Sequence, residues 1–142
     1  MSKTCEYIVS ACLCGQNVRY DGIAKTNEKI KKLVEEGKAI PVCPEVEGGL
    51  PVPRHPCEIQ NNKVINDLGE DKTINFEIGA EKILQLCKKH NIKKAILKEK
   101  SPSCGVKFVY DGTFSNTFIP GQGITARLLK EQGIEVISDE DF

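Results

Sequence analysis

The sequence predicts one α/β domain, an open parallel sheet with helices on both faces. Three observations carry this. Short runs rich in β-branched residues alternate with longer stretches of helical periodicity, in the order β-α-β-α-β-α-β, the pattern of strands joined by crossover helices. A chain of 142 residues is long enough for a single domain that buries roughly 70% of its unfolded surface. No internal repeat or linker interrupts the alternation, so the domain is expected to span residues 1–142.

Tyr7-Ile8-Val9-Ser10-Ala11 is the first strand, a short apolar run with β-branched content. A loop carrying Tyr20-Asp21-Gly22 follows. Thr26 is placed to cap a helix whose stripe is Ile30, Leu33 and Val34 and which closes at Gly37. Ala39-Ile40-Pro41-Val42-Cys43 is the second strand, and its internal proline points to a short strand or an edge. Residues 44–72 form the longest irregular stretch, stiffened by Gly48-Gly49-Leu50-Pro51-Val52-Pro53-Arg54-His55-Pro56; irregular stretches this long are usually functional or disordered, and the lack of charge runs and low complexity favours function. Short strands around Glu58-Ile59 and Val64-Ile65 would fold it back over the sheet.

Thr73 is the expected cap of a second helix with Phe76, Ala80, Ile83, Leu84 and Cys87 on its stripe. Lys88, Lys89 and His90 in its last turn suit the helix dipole. Lys94-Ala95-Ile96-Leu97-Lys98 is the third strand. Phe108-Val109-Tyr110 and Thr113-Phe114 flank Asp111-Gly112, a tight-turn signal. The last helix, about Ile124 to Gln132, stops at Gly133 before the strand Ile134-Glu135-Val136-Ile137. Such an arrangement is Rossmann-like, and ligands collect beyond the carboxyl ends of its strands.

Twenty basic and twenty acidic side chains cancel, which speaks against DNA, a membrane surface or RNA as the sole partner. A small, weakly polar substrate suits that balance better than a polyanion. Long apolar runs are absent, and Met1-Ser2-Lys3-Thr4-Cys5-Glu6 lacks the apolar core of a signal peptide. The expected location is therefore the reducing cytoplasm. There, seven cysteines are more readily ligands, nucleophiles or core residues than a disulfide framework.

Cys12, Cys43 and Cys104 each stand where a strand ends and a Gly- or Pro-rich loop begins, and three soft thiolates at such a place point to a metal or cluster. A closed zinc site could recruit Cys14 as the fourth thiolate, but one residue between Cys12 and Cys14 places them on opposite faces of an extended chain. An iron–sulfur cluster on three thiolates suits the spacing better and leaves one iron open as a Lewis acid or a seat for soft sulfur. Cys87 on a helical stripe and Cys5 beside the first strand are core residues in this reading, and Cys57 leans the same way.

Glu45 lies two residues past Cys43, where partial desolvation would suit it to acid–base work. Ser101 and Ser103 bracket Pro102 just before Cys104, as loop formers or as hydroxyls facing the site. Among 17 lysines the chain has three arginines, and two of them, Arg19 and Arg54, lie in the loops beside the cysteine segments. Arginine there points to its planar fork of donors, used on substrate or on loop carbonyls. His55 and His90 are isolated, no nucleophile elbow is present, and Gly121-Gln122-Gly123 alone is a weak phosphate-loop signal.

Taken in order, Ser10-Ala11-Cys12-Leu13, Val18-Arg19-Tyr20-Asp21-Gly22, Pro41-Val42-Cys43-Pro44-Glu45, Gly48-Gly49-Leu50-Pro51, Pro53-Arg54, Ser101-Pro102-Ser103-Cys104-Gly105 and Tyr110-Asp111-Gly112 resemble the thiouracil desulfidase family, nearly end to end. The resemblance implies a [4Fe-4S] cluster on Cys12, Cys43 and Cys104, with Glu45 handling protons and Ser101 positioning substrate. Sulfur would leave a thiolated pyrimidine such as 2-thiouracil, giving uracil and sulfide with no net redox change. Cys14, His55-Pro56-Cys57 and Lys72 depart from the family's usual residues. The extra Cys14 and Cys57 carry a competing reading, a non-enzymatic iron–sulfur or zinc protein acting as redox sensor or sulfur carrier. Thiolated RNA as substrate and the oligomeric state stay open.

Overall fold

In the computed structural model, which describes residues 5–142, four parallel strands make the central sheet. They are β1 (Tyr7–Ser10), β2 (Ala39–Val42), β5 (Lys94–Leu97) and β8 (Glu135–Ser138), in the spatial order β2-β1-β5-β8. Residues Met1–Thr4, whose lack of an apolar core was noted above, lie outside the described residues. Ile8 pairs with Ile40 on one side and Ala95 on the other, and Ile96 pairs with Ile137. Edge strand β2 holds Pro41, as expected for a strand interrupted by proline.

Side chains alternate across each strand, so neighbouring residues serve different cores. Ile8, Ala95 and Leu97 pack with Ile83, Leu84 and Cys87 of α3 (Thr73–His90) and with Ala126 and Leu129 of α4 (Ile124–Glu131). Val9 and Ile96 pack on the opposite face with Leu13 and with Ile30 of α1 (Glu28–Glu35). A sheet covered on both faces is what all-parallel strands require. The chain leaves β1 for β2 on one side and returns through α3 to β5 on the other. The crevice where the strand order reverses therefore opens beyond the ends of β1 and β5.

The long irregular stretch folds as anticipated into an antiparallel hairpin, β3 (Cys57–Gln60) and β4 (Lys63–Asn66). Leu50, Cys57, Val64 and Phe76 make a small core beneath it. Several boundaries move. Asn27, not Thr26, caps α1, its Oδ1 accepting from the Lys29 and Ile30 N–H groups. Lys72 precedes α3, and the Thr73 hydroxyl accepts the Val64 N–H at 2.8 Å instead of capping the helix. Asp111-Gly112 is not a two-residue turn. The hairpin joins β6 (Phe108–Tyr110) to β7 (Phe118–Pro120) through residues 111–117.

One further contact governs the site. The short helix α2 (Pro44–Glu47) lies on α3 backbone to backbone. A Cβ added at Gly48 would meet the Asn75 carbonyl oxygen at 2.0 Å, and one at Gly79 would meet the Pro44 carbonyl oxygen at 1.9 Å. Asn75 Nδ2 donates to the Gly48 carbonyl at 2.8 Å across the same seam. Alanine for glycine inside a helix normally favours the helix by about 1 kcal/mol. Here the overlap is with backbone that cannot yield, and overpacking of about 1–3 kcal/mol opposes the gain. Gly79→Ala is therefore expected to lower the urea midpoint; a raised midpoint would show that α2 shifts freely on α3.

Candidate functional site

Each of the three cysteines is set by the element before it. Cys12 lies in the 3₁₀ turn Ala11–Cys14 that continues β1, and Cys43 follows β2 and caps α2, whereas Cys104 is not at a strand end as expected but in a turn seven residues beyond the end of β5. All three line one cavity of about 580 Å³, a size usual for small-molecule sites. Cys12 and Cys104 are buried and Cys43 is half-buried.

The thiols also share one electrostatic neighbourhood. Burial pushes Cys12 up to about 11, with Cys43 adding and Lys98 and Arg19 opposing. Burial pushes Cys104 up to about 12, against the Ser10 and Ser103 hydroxyls and with Cys43 and Cys12 adding. Cys43 is raised by burial too. Without metal all three are thiols at neutral pH, and a soft metal must displace their protons. Among the described residues, no three His, Cys, Asp or Glu side chains gather round one point as ligands of a single ion do. Three soft thiols lining one cavity are a donor set that fits an iron–sulfur cluster.

These thiols set an alkaline limit on the metal-free protein. A thiol ionising at about 11 to 12 when folded and at 9.0 when free stabilises the fold below pH 9, and that contribution fades as pH rises toward 12. Urea midpoints of metal-free protein are expected to hold to about pH 9 and then fall, with Cys104→Ala blunting the fall. A flat profile in both would contradict the burial of these thiols.

Glu45, on α2, is held at both oxygens. Arg54 donates from Nε to Oε1 at 2.9 Å, and Ser103 Oγ donates to Oε2 at 3.2 Å. Arg54 also donates from Nη1 to the Pro51 carbonyl and from Nη2 to the Val18 carbonyl, both at 3.0 Å. The Cys43 thiol meets the same Val18 carbonyl at 3.8 Å. One guanidinium thus ties α2, the proline-rich loop and the loop after β1, a junction a lysine could not reproduce. Its side chain is 6% exposed and that of Glu45 13%. Ser103 is buried, with Oγ 3.6 Å from Cys104 Sγ and 3.0 Å from Ser101 Oγ. Ser101 Oγ accepts the N–H groups of Ser103 at 3.1 Å and Cys104 at 3.0 Å, so it shapes the Cys104 turn.

Arg19 lines the cavity, 5.5 Å from the Tyr20 ring. Its 3.1 Å contact with Asp21 is an ion pair, without the alignment of a hydrogen bond. Cys57 also lines the cavity, its thiol pushed up to about 12 by burial and then by the charge of Glu45. Cys14 is not among the lining residues and packs on the α1 side of the sheet, and Cys87 is core. His55 meets Asp67 at 2.9 Å on the surface.

Several lining residues escaped the sequence reading: Glu58, Lys98, Glu99, Tyr110, Phe114 and Asn116. Glu58 Oε1 accepts the N–H groups of Gly112 and Phe114, tying the 111–117 loop over the cavity. Glu99 Oε1 accepts those of Val106, Lys107 and Phe108. Burial would raise the Glu99 carboxyl, but these hydrogen bonds outweigh it and hold the group below the usual range. Nothing in the local pattern, Cys57 and Ile59 around Glu58 and a lysine on each side of Glu99, distinguishes these glutamates from solvated ones.

A model of the family described as 2-thiouracil desulfurase matches residues 7–141. The Bacillus subtilis (strain 168) protein named "Uncharacterized protein YbbK" is 45% identical over 145 aligned residues, covering 95% of this chain and 96% of that one. A solved structure described as "[4Fe-4S]-dependent thiouracil desulfidase TudS" is 46% identical with a TM-score of 0.92, covering 96% of this chain and 91% of the other.

Proposed function

The chain belongs to the 2-thiouracil desulfurase family, and from that premise we propose that it is a [4Fe-4S]-dependent desulfidase. It removes sulfur from a thiolated pyrimidine such as 2-thiouracil, with water supplying the oxygen and no net redox change. The observation that carries the reading is the set of three thiols, Cys12 and Cys104 buried and Cys43 half-buried, that three separate segments bring to one cavity, in a chain closely similar to a protein of that description. Cys12, Cys43 and Cys104 are the residues that would hold the cluster. When bound, the cluster supplies an iron free of protein thiolate, a Lewis acid with affinity for soft sulfur.

The chain's own groups do the rest. Glu45 takes a proton from the attacking water at its carboxylate, held toward the cavity by Arg54. Ser101 positions the pyrimidine, and Arg19, Arg54 and Ser103 organise the loops or contact substrate. The whole chain, residues 1–142, works as one desulfidase-like domain in the cytoplasm, on a small thiolated pyrimidine and without DNA or membrane. No helix among the described residues is long and apolar enough to cross a membrane.

The test is anaerobic reconstitution followed by iron, acid-labile sulfide and visible absorbance, then incubation with 2-thiouracil. Iron and sulfide at about four each per chain, with uracil and sulfide formed in equal amounts, are expected. A fully loaded cluster that releases no sulfide from thiolated pyrimidines would favour the sensor or carrier reading instead.

A further inference from the structure

Three side chains run in a line from the Cys104 turn to α2, and the direction of their hydrogen bonds follows from their donors. Ser101 Oγ already accepts two backbone N–H groups, from Ser103 and Cys104. A hydroxyl has two lone pairs and one proton, so its acceptor capacity is filled and what it has left to give is its proton. The 3.0 Å contact between Ser101 Oγ and Ser103 Oγ therefore runs from Ser101 to Ser103. Ser103 then has one proton and two acceptors, Glu45 Oε2 at 3.2 Å and Cys104 Sγ at 3.6 Å, and the charged carboxylate is the stronger acceptor.

Resting on the desulfidase reading, we infer that Ser103 is the positioning residue that couples Ser101 to Glu45. It fixes the plane of the Glu45 carboxylate from the side opposite Arg54, and it accepts the Ser101 proton in a hydrogen bond, so that Ser101 positions the pyrimidine through the turn it shapes and not by a hydrogen bond of its own. Its burial, at 1% exposed, keeps water from replacing either bond. Glu45 and Ser103 come from segments 58 residues apart, so this one hydroxyl holds the carboxylate of α2 in register with the turn beyond β5. A chain of hydrogen bonds with one direction strengthens each member, and loss of the middle one releases both ends.

The experiment compares wild type, Ser103→Ala, Glu45→Gln and the double variant. Ser103→Ala is expected to keep its iron and sulfide and to hold KM for 2-thiouracil within about twofold, while kcat falls roughly 10- to 100-fold, the scale of a misplaced reacting group. In the Glu45→Gln background the same change is expected to cost almost nothing more, because the two act as a unit. A second readout uses metal-free protein and needs no activity. Infrared difference spectra identify the Glu45 carboxylate stretch as the band lost in Glu45→Gln, and Ser103→Ala is expected to shift it. Full turnover in Ser103→Ala, an equal fall in both backgrounds, lost iron or an unmoved band would each overturn the role. A cluster-loaded wild type that released no sulfide would instead overturn the desulfidase reading on which the role rests, with the infrared band still reporting the hydrogen bond.

Discussion

Alanine at Cys12, Cys43 or Cys104 is expected to leave a folded chain that retains no intact cluster and releases no sulfide. The three thiols come from three separate segments, after β1, after β2 and in a turn beyond β5, and one other cysteine, Cys14, shares a turn with any of them. Cys14 is absent from the cavity wall, and Cys57 lines it as a thiol beside Glu45. Folding should survive, because each thiol is protonated in the absence of metal and alanine removes one sulfur atom without leaving a charge bare. Iron and acid-labile sulfide after anaerobic reconstitution measure the effect, with Cys87→Ala as the core control expected to load normally. Any of the three variants holding about four irons per chain would strike that cysteine from the ligand set.

Glu45→Gln is expected to separate assembly from turnover. The amide keeps the shape of the side chain, and its oxygen can still face Arg54 Nε. The amide nitrogen then meets Ser103, whose proton must turn away, and no group remains at that point to accept a proton from water. Iron content should match wild type while kcat falls by about 10²- to 10⁴-fold, the usual contribution of a positioned acid–base group. Breaking a buried ion pair can cost about 3–5 kcal/mol when a charge is left bare. Arg54 keeps the carbonyls of Pro51 and Val18, so a smaller loss is expected in urea denaturation. Sulfide release at the wild-type rate by fully loaded Glu45→Gln protein would remove Glu45 from the chemistry.

The parallel sheet was legible because its strands are fully buried apolar runs, and Ile8-Val9 and Ala95-Ile96-Leu97 announce themselves without help from distant residues. Cys12 and Cys43 were legible for the same reason, since a strand's end locates the cleft, and Cys104 reaches the same cleft from a turn seven residues beyond β5. What the chain hides is pairing across long separations. The Asp111-Gly112 signal pointed to a two-residue turn, but Glu58 from β3 takes the Gly112 and Phe114 N–H groups and holds the loop open to residue 117. Thr26 and Asn27 are both cap formers, and only the three-dimensional path of the loop selects Asn27. That Arg54 would meet Glu45, and that Ser103 would reach it from beyond β5, depends on how a proline-rich loop and a turn fold over one another. No local propensity encodes that.

The seam between α2 and α3 divides the cavity wall into a part that can evolve and a part that cannot. Because Gly48 and Gly79 bring backbone directly against backbone, the two glycines offer no side chain whose trimming or exchange would re-aim Glu45 by small steps. The opposite wall, the 111–117 loop with Phe114 and Asn116 at its tip, is surface chain that tolerates exchange. New substrate preferences should therefore arise by rewriting that loop while the glycines stay fixed. A library randomised at residues 113–116 is expected to yield many active clones with shifted preference among thiolated pyrimidines, and one randomised at Gly48 and Gly79 almost none.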